Sequence, residues 1–386
     1  MLKIALDISA LSLGFKEHSF RGIGRYVTEL SKELSELESE KVKVVNKSIF
    51  ENINSKNIKL NKLISKIPYG QQTLNQQIVY PFYQKQLLKD FDYIHFPAHM
   101  DPPAFSFKPT IVTVLDLIPL VLKDLYQPGS GRIRYSFARF LEYQAIKNAK
   151  LILAISENTK KDLIKYLGIK EDKIIVTHLG VNSFFKTDTG QNKNFIKEEF
   201  KIPQERTVLF YHGGIDIRKN YDLMLKVIKE YNNNFDNKLH LVIAGKIEQE
   251  KNYPILLKLV NDLGLEEFIT FTGFLKDKDL LASLISSDIY FFPSLYEGFG
   301  LPPLEAMAAG LPVISSNSSC LPEILGDSAM FFDPNNITQA VDCINNLYNN
   351  NDLRLKLIAK GRIQAQKFTW EMSAKSTLAA YESLIK

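Results

Sequence analysis

Glu297 and Glu305, eight positions apart, are the residues best placed to do chemistry. They sit in S-L-Y-E-G-F-G-L-P-P-L-E-A-M-A-A-G, from Ser294 to Gly310. Glu297 falls in a turn with Gly298 and Gly300. Glu305 falls early in a helix that Pro302 and Pro303 can open, because a first-turn residue needs no N–H. Gly310 is a natural stop for that helix. Between the carboxylates lie exposed backbone N–H groups and a positive helix end, which favours an anion. A nucleotide-sugar would suit the arrangement: diphosphate on the N–H groups, sugar hydroxyls on one carboxylate, ribose hydroxyls on the other. The plainer reading is that Glu305 complements the helix dipole and Glu297 is an ordinary loop carboxylate.

The elements that must hold these residues follow from the apolar pattern. Ile289–Pro293 reads as a buried parallel strand, so Glu297 lies at the carboxyl edge of a sheet, where open α/β folds bind ligands. Further strands are predicted at Val208–His212, His240–Ala244, Ile269–Gly273, Pro312–Ser315 and Met330–Phe332. Helices alternate with them, including Tyr221–Glu230 and Tyr253–Leu263. This is the pattern of a doubly wound parallel sheet. Gly213-Gly-Ile-Asp-Ile-Arg-Lys-Asn220 closes the first of these strands. Its glycines, Gly213 and Gly214, free the backbone, and Arg218 and Lys219 could bond a diphosphate at the same edge as Glu297. Taken alone, such a basic loop is solvated surface.

The first half alternates in the same way, less cleanly. Lys3–Ser9, Asp92–Pro97, Thr110–Leu117, Leu151–Ile155 and Lys173–Gly180 read as strands. Ser156 is the predicted N-cap of a helix through Leu167, closed by Gly168. Gly22-x-Gly24 leads into a helix striped by Val27, Leu30, Leu34 and Leu37. The pair lacks a third glycine at dinucleotide spacing, and reads as a phosphate-approach loop or as a plain turn into the helix. Residues 41–80 are the least informative. His99, in a loop with Pro102 and Pro103, reads as a surface histidine, or else as an acceptor-side group. Asp116 ends an apolar run, which requires a pairing partner or a ligand-facing position.

The whole chain sets bounds. Its 386 residues suffice for two or three domains, and 45% apolar and 24% charged residues are ordinary for a soluble globular protein. Two cysteines, Cys320 and Cys343, imply no disulfide framework. Cys320 reads as a small packing residue before a reactive thiol. The N-terminus reads as a first strand rather than a signal peptide. The longest apolar stretch, Thr110–Leu122, is too short to span a bilayer and contains Asp116. The net charge of +5 is uneven: residues 1–185 carry 26 Lys and Arg against 18 Asp and Glu, a surplus of 8. Lys41–Lys66 holds seven lysines and one acid. That is a solvated face, or an attraction to an anionic membrane. No motif for nucleic acid accompanies it.

P-S-L-Y-E-G-F-G-L-P-P-L-E-A-M-A-A-G-L-P-V resembles the signature of the large retaining glycosyltransferase family four, nearest its bacterial mannosyltransferases of polysaccharide assembly. The likeness is dense from Val208 to Phe332 and looser before it. It implies the GT-B fold, two Rossmann-like doubly wound domains facing a cleft. The implied boundaries are 1–185 for an acceptor-side domain, 186–204 for a polar linker and 205–366 for a donor domain. A final helix, 367–386, would cross back, with Trp370 packing. It implies catalytic roles for Glu297, Lys219, Arg218 and Asp116. Donor binding is implied for Gly22, Gly24, Gly213, Gly214, Phe274, Leu280, Gly298, Phe299, Gly300, Leu301 and Glu305. His99 would lie on the acceptor side.

Two departures stand out. Leu115 occupies the place of a family histidine in Val-Leu-Asp-Leu-Ile-Pro, which leaves Asp116 with an acceptor-side or a structural role. Gly214 occupies the place of a family arginine, and Arg218 lies elsewhere. The expected reaction moves a hexose with retention from a nucleotide-sugar, GDP-mannose favoured, to a glycan or lipid-linked acceptor. The nucleotide-sugar is a co-substrate, and neither a cofactor nor a metal is expected, since charge from the fold replaces the ion. A cytoplasmic protein is expected, perched at the inner face of the membrane at most. The rivals are a UDP-sugar-dependent transferase, a non-catalytic nucleotide-sugar binder and a glycoside hydrolase.

Overall fold

The computed structural model describes residues 1–12, 15, 22–51, 75–126, 132–186 and 192–385. The chain forms two compact units: Met1–Gly180 with Trp370–Lys386, and Val181–Thr369.

The first unit is built on a six-stranded parallel sheet in the order β2-β1-β3-β4-β5-β6. Its strands are β1 (Leu2–Asp7), β2 (Val42–Lys47), β3 (Tyr93–Phe96), β4 (Thr110–Val114), β5 (Leu151–Ala154) and β6 (Ile174–Val176). Around it lie α1 (Gly22–Glu36), α2 (Tyr80–Leu87), α3 (Arg132–Asn148) and α4 (Glu157–Leu167). The interior strands β4 and β5 are buried along their whole length, because helices cover both faces of a parallel sheet. Ser156 caps α4 by accepting from the Thr159 N–H at 3.1 Å, and Gly168 ends it at φ 65°.

Several boundaries differ from the sequence reading. The strand predicted at Lys173–Gly180 covers only Ile174–Val176. The one predicted at Thr110–Leu117 stops at Val114, so Asp116 lies beyond it. The uninformative stretch 41–80 contains β2, an edge strand whose alternating Val-Lys-Val-Val-Asn-Lys buries little. Much of the lysine-rich run Lys41–Lys66 lies outside the described residues, as do Phe20, Arg21 and part of the predicted linker.

The second unit is a six-stranded parallel sheet in the order β12-β11-β10-β7-β8-β9. Its strands are β7 (Thr207–His212), β8 (Leu239–Ala244), β9 (Ile269–Gly273), β10 (Ile289–Phe292), β11 (Val313–Ser316) and β12 (Ala329–Phe332). Its helices include α5 (Tyr221–Asn234), α6 (Tyr253–Leu263), α7 (Asp277–Ser286), α8 (Leu301–Ala309), α9 (Leu321–Leu325), α10 (Ile337–Asn349) and α11 (Asn351–Gln366). The unit's first strand therefore lies beside its fourth, with Leu209 opposite Ile289 and Phe210 opposite Tyr290. That is the topological switch point of a doubly wound sheet, where two neighbouring loops diverge and leave a crevice.

The last helix, α12 (Trp370–Glu382), belongs to the first unit. His95 on β3 anchors it, with Nδ1 2.6 Å from the Tyr381 hydroxyl and Nε2 2.8 Å from Thr113 Oγ1. The Tyr26 hydroxyl reaches the same Thr113 at 3.1 Å, and Trp370 packs on the Tyr26 ring. Burial holds the His95 imidazole neutral, with its pKa lowered to about 3.

Candidate active site

The loops after β7 and β10 meet at the switch point of the second unit. After β7 the chain turns through Gly213, at φ 151°, and makes a short 3-10 turn, Ile217–Lys219, capped by Asp216. Asn220 stands in the left-handed region at φ 60°, and its side-chain Nδ2 donates to the carbonyls of Pro293 and Pro334 at 3.2 and 2.8 Å. The Leu295 N–H donates to the Arg218 carbonyl at 2.7 Å. These bonds fix the two loops against each other.

The side chains then converge. Lys219 Nζ lies 2.6 Å from Glu297 Oε1, and Arg218 Nη1 lies 2.8 Å from Oε2. Arg218 also touches the Tyr296 carbonyl at 3.3 Å and Asp216 at 3.5 Å. Lys219 and Glu297 are each 8% exposed. Burial alone would push the Glu297 carboxyl up, but the Lys219 and Arg218 charges outweigh it and hold the group below its ordinary range. Burial pushes Lys219 the other way, down, with Glu297 partly offsetting it. Glu297 is also fixed through its backbone: its N–H donates to Ser319 Oγ at 2.9 Å, and Cys320 Sγ donates to its carbonyl at 3.2 Å. Cys320 is thus a buried structural thiol, its pKa pushed well up by burial.

Glu305 is the fifth residue of α8 and lies beyond its first turn. Its Oε2 is 2.9 Å from His212 Nε2, and His212 Nδ1 is 3.2 Å from the Tyr290 hydroxyl. A relay Glu305–His212–Tyr290 therefore stands next to the Glu297 cluster, on β7, β10 and α8. His212 was missed in the sequence. Its one signal is its place, a polar residue ending a buried strand just before two glycines.

The glycines set the shape. Gly300 opens α8 at φ 101°, and a Cβ there would lie 2.9 Å from Leu321 Cδ2. A Cβ on Gly214 would lie 2.8 Å from Glu250 Oε1, whose other oxygen accepts from the Ile215 N–H at 3.2 Å. Glu250 therefore fills the space beside Gly214, while the guanidinium that reaches Glu297 comes from Arg218. Gly245, also missed, ends β8 at φ 155°, and a Cβ there would strike the Gly213 carbonyl at 2.2 Å. Phe299 is buried edge-on against Phe368, and Leu301 begins α8 after Gly298 and Gly300. Phe274, just past β9, is 64% exposed with Lys246 Nζ 5.0 Å over its ring. Leu280 packs inside α7, which opens at Asp277.

The first unit holds its own cluster. His99 is buried, which corrects the surface-loop reading: the Pro-rich segment after β3 folds inward, and Pro102 and Pro103 are buried with it. His99 Nδ1 accepts from the Leu115 N–H at 3.3 Å, so the ring proton sits on Nε2, 3.2 Å from Glu142 Oε1. Arg139 completes the group, 2.9 Å from Glu142 Oε2. Burial lowers the His99 pKa, but the hydrogen bond and charge of Glu142, aided by Asp116, outweigh it and raise the pKa overall. Asp116 accepts from the Ile118 N–H at 3.1 Å and so caps the turn after β4. Gly22 and Gly24 lie in the first turn of α1 rather than in a free loop. Asp7, at the end of β1, is buried, and its Oδ1 accepts from Ser9 N–H, Ser9 Oγ and Ile49 N–H.

Among the described residues, no three His, Cys, Asp or Glu side chains are grouped to hold a metal ion. A cavity of about 480 Å³ opens at the opposite, amino edge of the second sheet, lined by Lys186, Lys193, Asp288, Arg354 and Arg362 among others. It is separate from the Glu297 cluster.

Two doubly wound units, one with a buried Glu and Lys and a half-buried Arg at its switch point, define a GT-B glycosyltransferase. Residues 20–183 match the family model described as Glycosyltransferase Family 4, and residues 192–364 match the one described as Glycosyl transferases group 1. The chain belongs to glycosyltransferase family four. It is 27% identical to the O-antigen chain mannosyltransferase B of Escherichia coli, over 95% of this chain and 97% of that one. It is 28% identical to the E. coli serotype-specific mannosyltransferase WbdA over 72% of this chain, which is 34% of WbdA. Among solved structures, sucrose-phosphate synthase from Thermosynechococcus elongatus aligns over 100% of this chain and 99% of that chain at 19% identity, with a TM-score of 0.72. Anabaena HepE, solved with UDP-glucose, aligns over all of both chains at 16% identity and the same TM-score, 0.72.

Proposed function

We propose that the protein is a retaining mannosyltransferase that takes mannose from GDP-mannose and passes it to a glycan or lipid-linked acceptor in polysaccharide assembly. The Glu297–Lys219–Arg218 cluster carries this reading. A departing nucleoside diphosphate needs preorganised positive charge, and Lys219, Arg218 and the N-terminus of α8 provide it at one sheet edge. The diphosphate takes these cations as it binds, and the released Glu297 oxygens accept sugar hydroxyls and orient the anomeric carbon. Glu305, held by His212, accepts the ribose hydroxyls. Phe274 and the backbone before Leu280 border the base, and Asp116 and His99 lie toward the acceptor. The nucleotide-sugar is a co-substrate, with no resident cofactor. The enzyme works in the cytoplasm, at the inner face of the membrane. The mannosyltransferase relatives support the choice of sugar.

A glycoside hydrolase needs a carboxylic acid kept protonated by a raised pKa. Glu297 is shifted the opposite way, which argues against that reading. The test is a thermal shift against GDP, UDP, ADP and CDP with their sugar conjugates, followed by turnover of the ligand that binds. A ligand at about a hundred times its dissociation constant adds roughly 2.7 kcal/mol. Stabilisation by GDP and GDP-mannose alone is expected. Stabilisation by UDP conjugates would replace the donor, and binding without turnover would make the protein a binder.

A further inference from the structure

Helix α3 carries two apolar faces, and the fold covers only one. Glu142, Ala145 and Ile146 are buried on the inner side. Ile133, Phe137 and Phe140 follow the i, i+4, i+7 spacing and form one stripe on roughly the opposite side. They are 87%, 55% and 54% exposed. A surface helix of a soluble domain puts polar residues there, and a cluster of large exposed apolar groups marks an interaction site.

Charge identifies the partner. Residues 132–141 contain Arg132, Arg134 and Arg139 and no acidic residue, and Arg139 is the one of them that pairs with Glu142 further along the helix. Arg134 is exposed beside the stripe, and Tyr135, with Arg139 5.7 Å from its ring, adds an amphipathic aromatic. A second copy of the chain would set arginine against arginine. An anionic lipid surface matches both features: phenylalanines enter the boundary between headgroups and acyl chains, and arginines reach back to the lipid phosphates. The surplus positive charge of residues 1–185 acts in the same direction.

We propose that the amino-terminal half of α3 is a membrane-contact surface that lays Ile133, Phe137 and Phe140 into an anionic bilayer. The proposal rests on the reading of a membrane-presented acceptor, and names the surface that brings the enzyme to it.

The test is flotation of the full chain with vesicles of neutral phosphatidylcholine, and with vesicles in which part of the lipid is anionic phosphatidylglycerol. Binding to the anionic vesicles is expected. The double variant Phe137→Ser/Phe140→Ser lowers partitioning by roughly tenfold for each phenylalanine. Arg134→Glu lowers it by about fivefold or more and weakens the salt dependence. These side chains are exposed, so the melting temperature and the nucleotide thermal shift stay unchanged. Equal binding to neutral vesicles, no binding, or a double variant that floats like the parent would overturn the proposal. So would light scattering that shows a dimer dissolved by the double variant, since the stripe would then belong to a second copy. Flotation needs no nucleotide: its failure with an intact GDP shift removes only this surface, and a missing GDP shift with intact flotation removes only the donor reading.

Discussion

Glu297→Gln separates the chemical role of the cluster from its structural one. In the free protein Glu297 holds Lys219 at 2.6 Å and Arg218 at 2.8 Å, the cations a diphosphate would need. Glutamine keeps the shape and removes the charge. Stability should fall, because removing one partner of a buried ion pair costs about 3–5 kcal/mol. Arg218 keeps Asp216 and the Tyr296 carbonyl, and the new amide oxygen still accepts one bond, so a loss near the lower end, about 3 kcal/mol, is expected. Nucleotide binding should move the other way. A charge-assisted bond is worth about 1.5–3 kcal/mol, so cations no longer held by a carboxylate should bind GDP roughly tenfold tighter or better. Transfer should fall by about 10² or more, because the sugar loses its acceptor while the leaving group keeps its donors. Calorimetry with GDP, a thermal melt and initial rates read the three effects. A folded variant that binds GDP tenfold more weakly would refute the exchange, and would make Glu297 an organiser of the cations rather than their placeholder.

Three further outcomes follow from other parts of the molecule. Gly300→Ala should cost about 1–3 kcal/mol in a denaturant melt, because φ 101° is strained for alanine and the new methyl meets Leu321. The pH dependence of stability should show two opposed slopes. His95 has a folded pKa of about 3 against 6.5, so the unfolded chain takes up a proton that the folded one refuses, and stability falls as pH drops through that window. Asp7 is raised from 3.8 to about 7, chiefly by burial, so its contribution is present at low pH and lost as pH rises through 7. Where these windows overlap the two oppose each other, and Asp7→Asn should expose the His95 slope in melts run across pH 4–7. A variant with the parent's pH profile would show that Asp7 does not hold a proton there. Finally, burial raises the thiols of Cys320 and Cys343, the latter to about 11, so a thiol reagent should label the native chain slowly and both cysteines once it is unfolded. Rapid native labelling of Cys320 would remove it from the Glu297 backbone.

What could be read in the sequence was local. β9 has its predicted bounds, and β10 ends at Phe292, one residue short of the predicted Pro293, because short apolar runs bounded by turn residues leave little choice. Ser156 and Gly168 bound α4 as predicted because caps are chemistry between near neighbours. The misreadings are of other kinds. β2 is an edge strand with only one of its six residues buried, so its composition resembled a loop. His99 meets Glu142 across 43 positions, and nothing in Phe-Pro-Ala-His-Met-Asp-Pro-Pro announces that the loop will fold inward. Glu305 and His212 are 93 positions apart, and one was found without the other. A residue type signals what it can bond, while its partner is chosen by the sheet order.

That order also explains why the basic loop and the acidic loop meet. In a doubly wound sheet the first and fourth strands are neighbours, so residues following β7 and β10 share a crevice however far apart they lie in the chain. Lys219 and Glu297, separated by 78 positions, are such a pair. Placing them there is costly: a buried ion pair is often no better for stability than apolar residues of the same volume. Here the pair also stands beside a second cation, Arg218, which Glu297 shares with Asp216. A core built for stability would be closed. Two cations gathered at an open crevice, held there by loop-to-loop hydrogen bonds and met by a helix N-terminus, are instead what a leaving diphosphate would require.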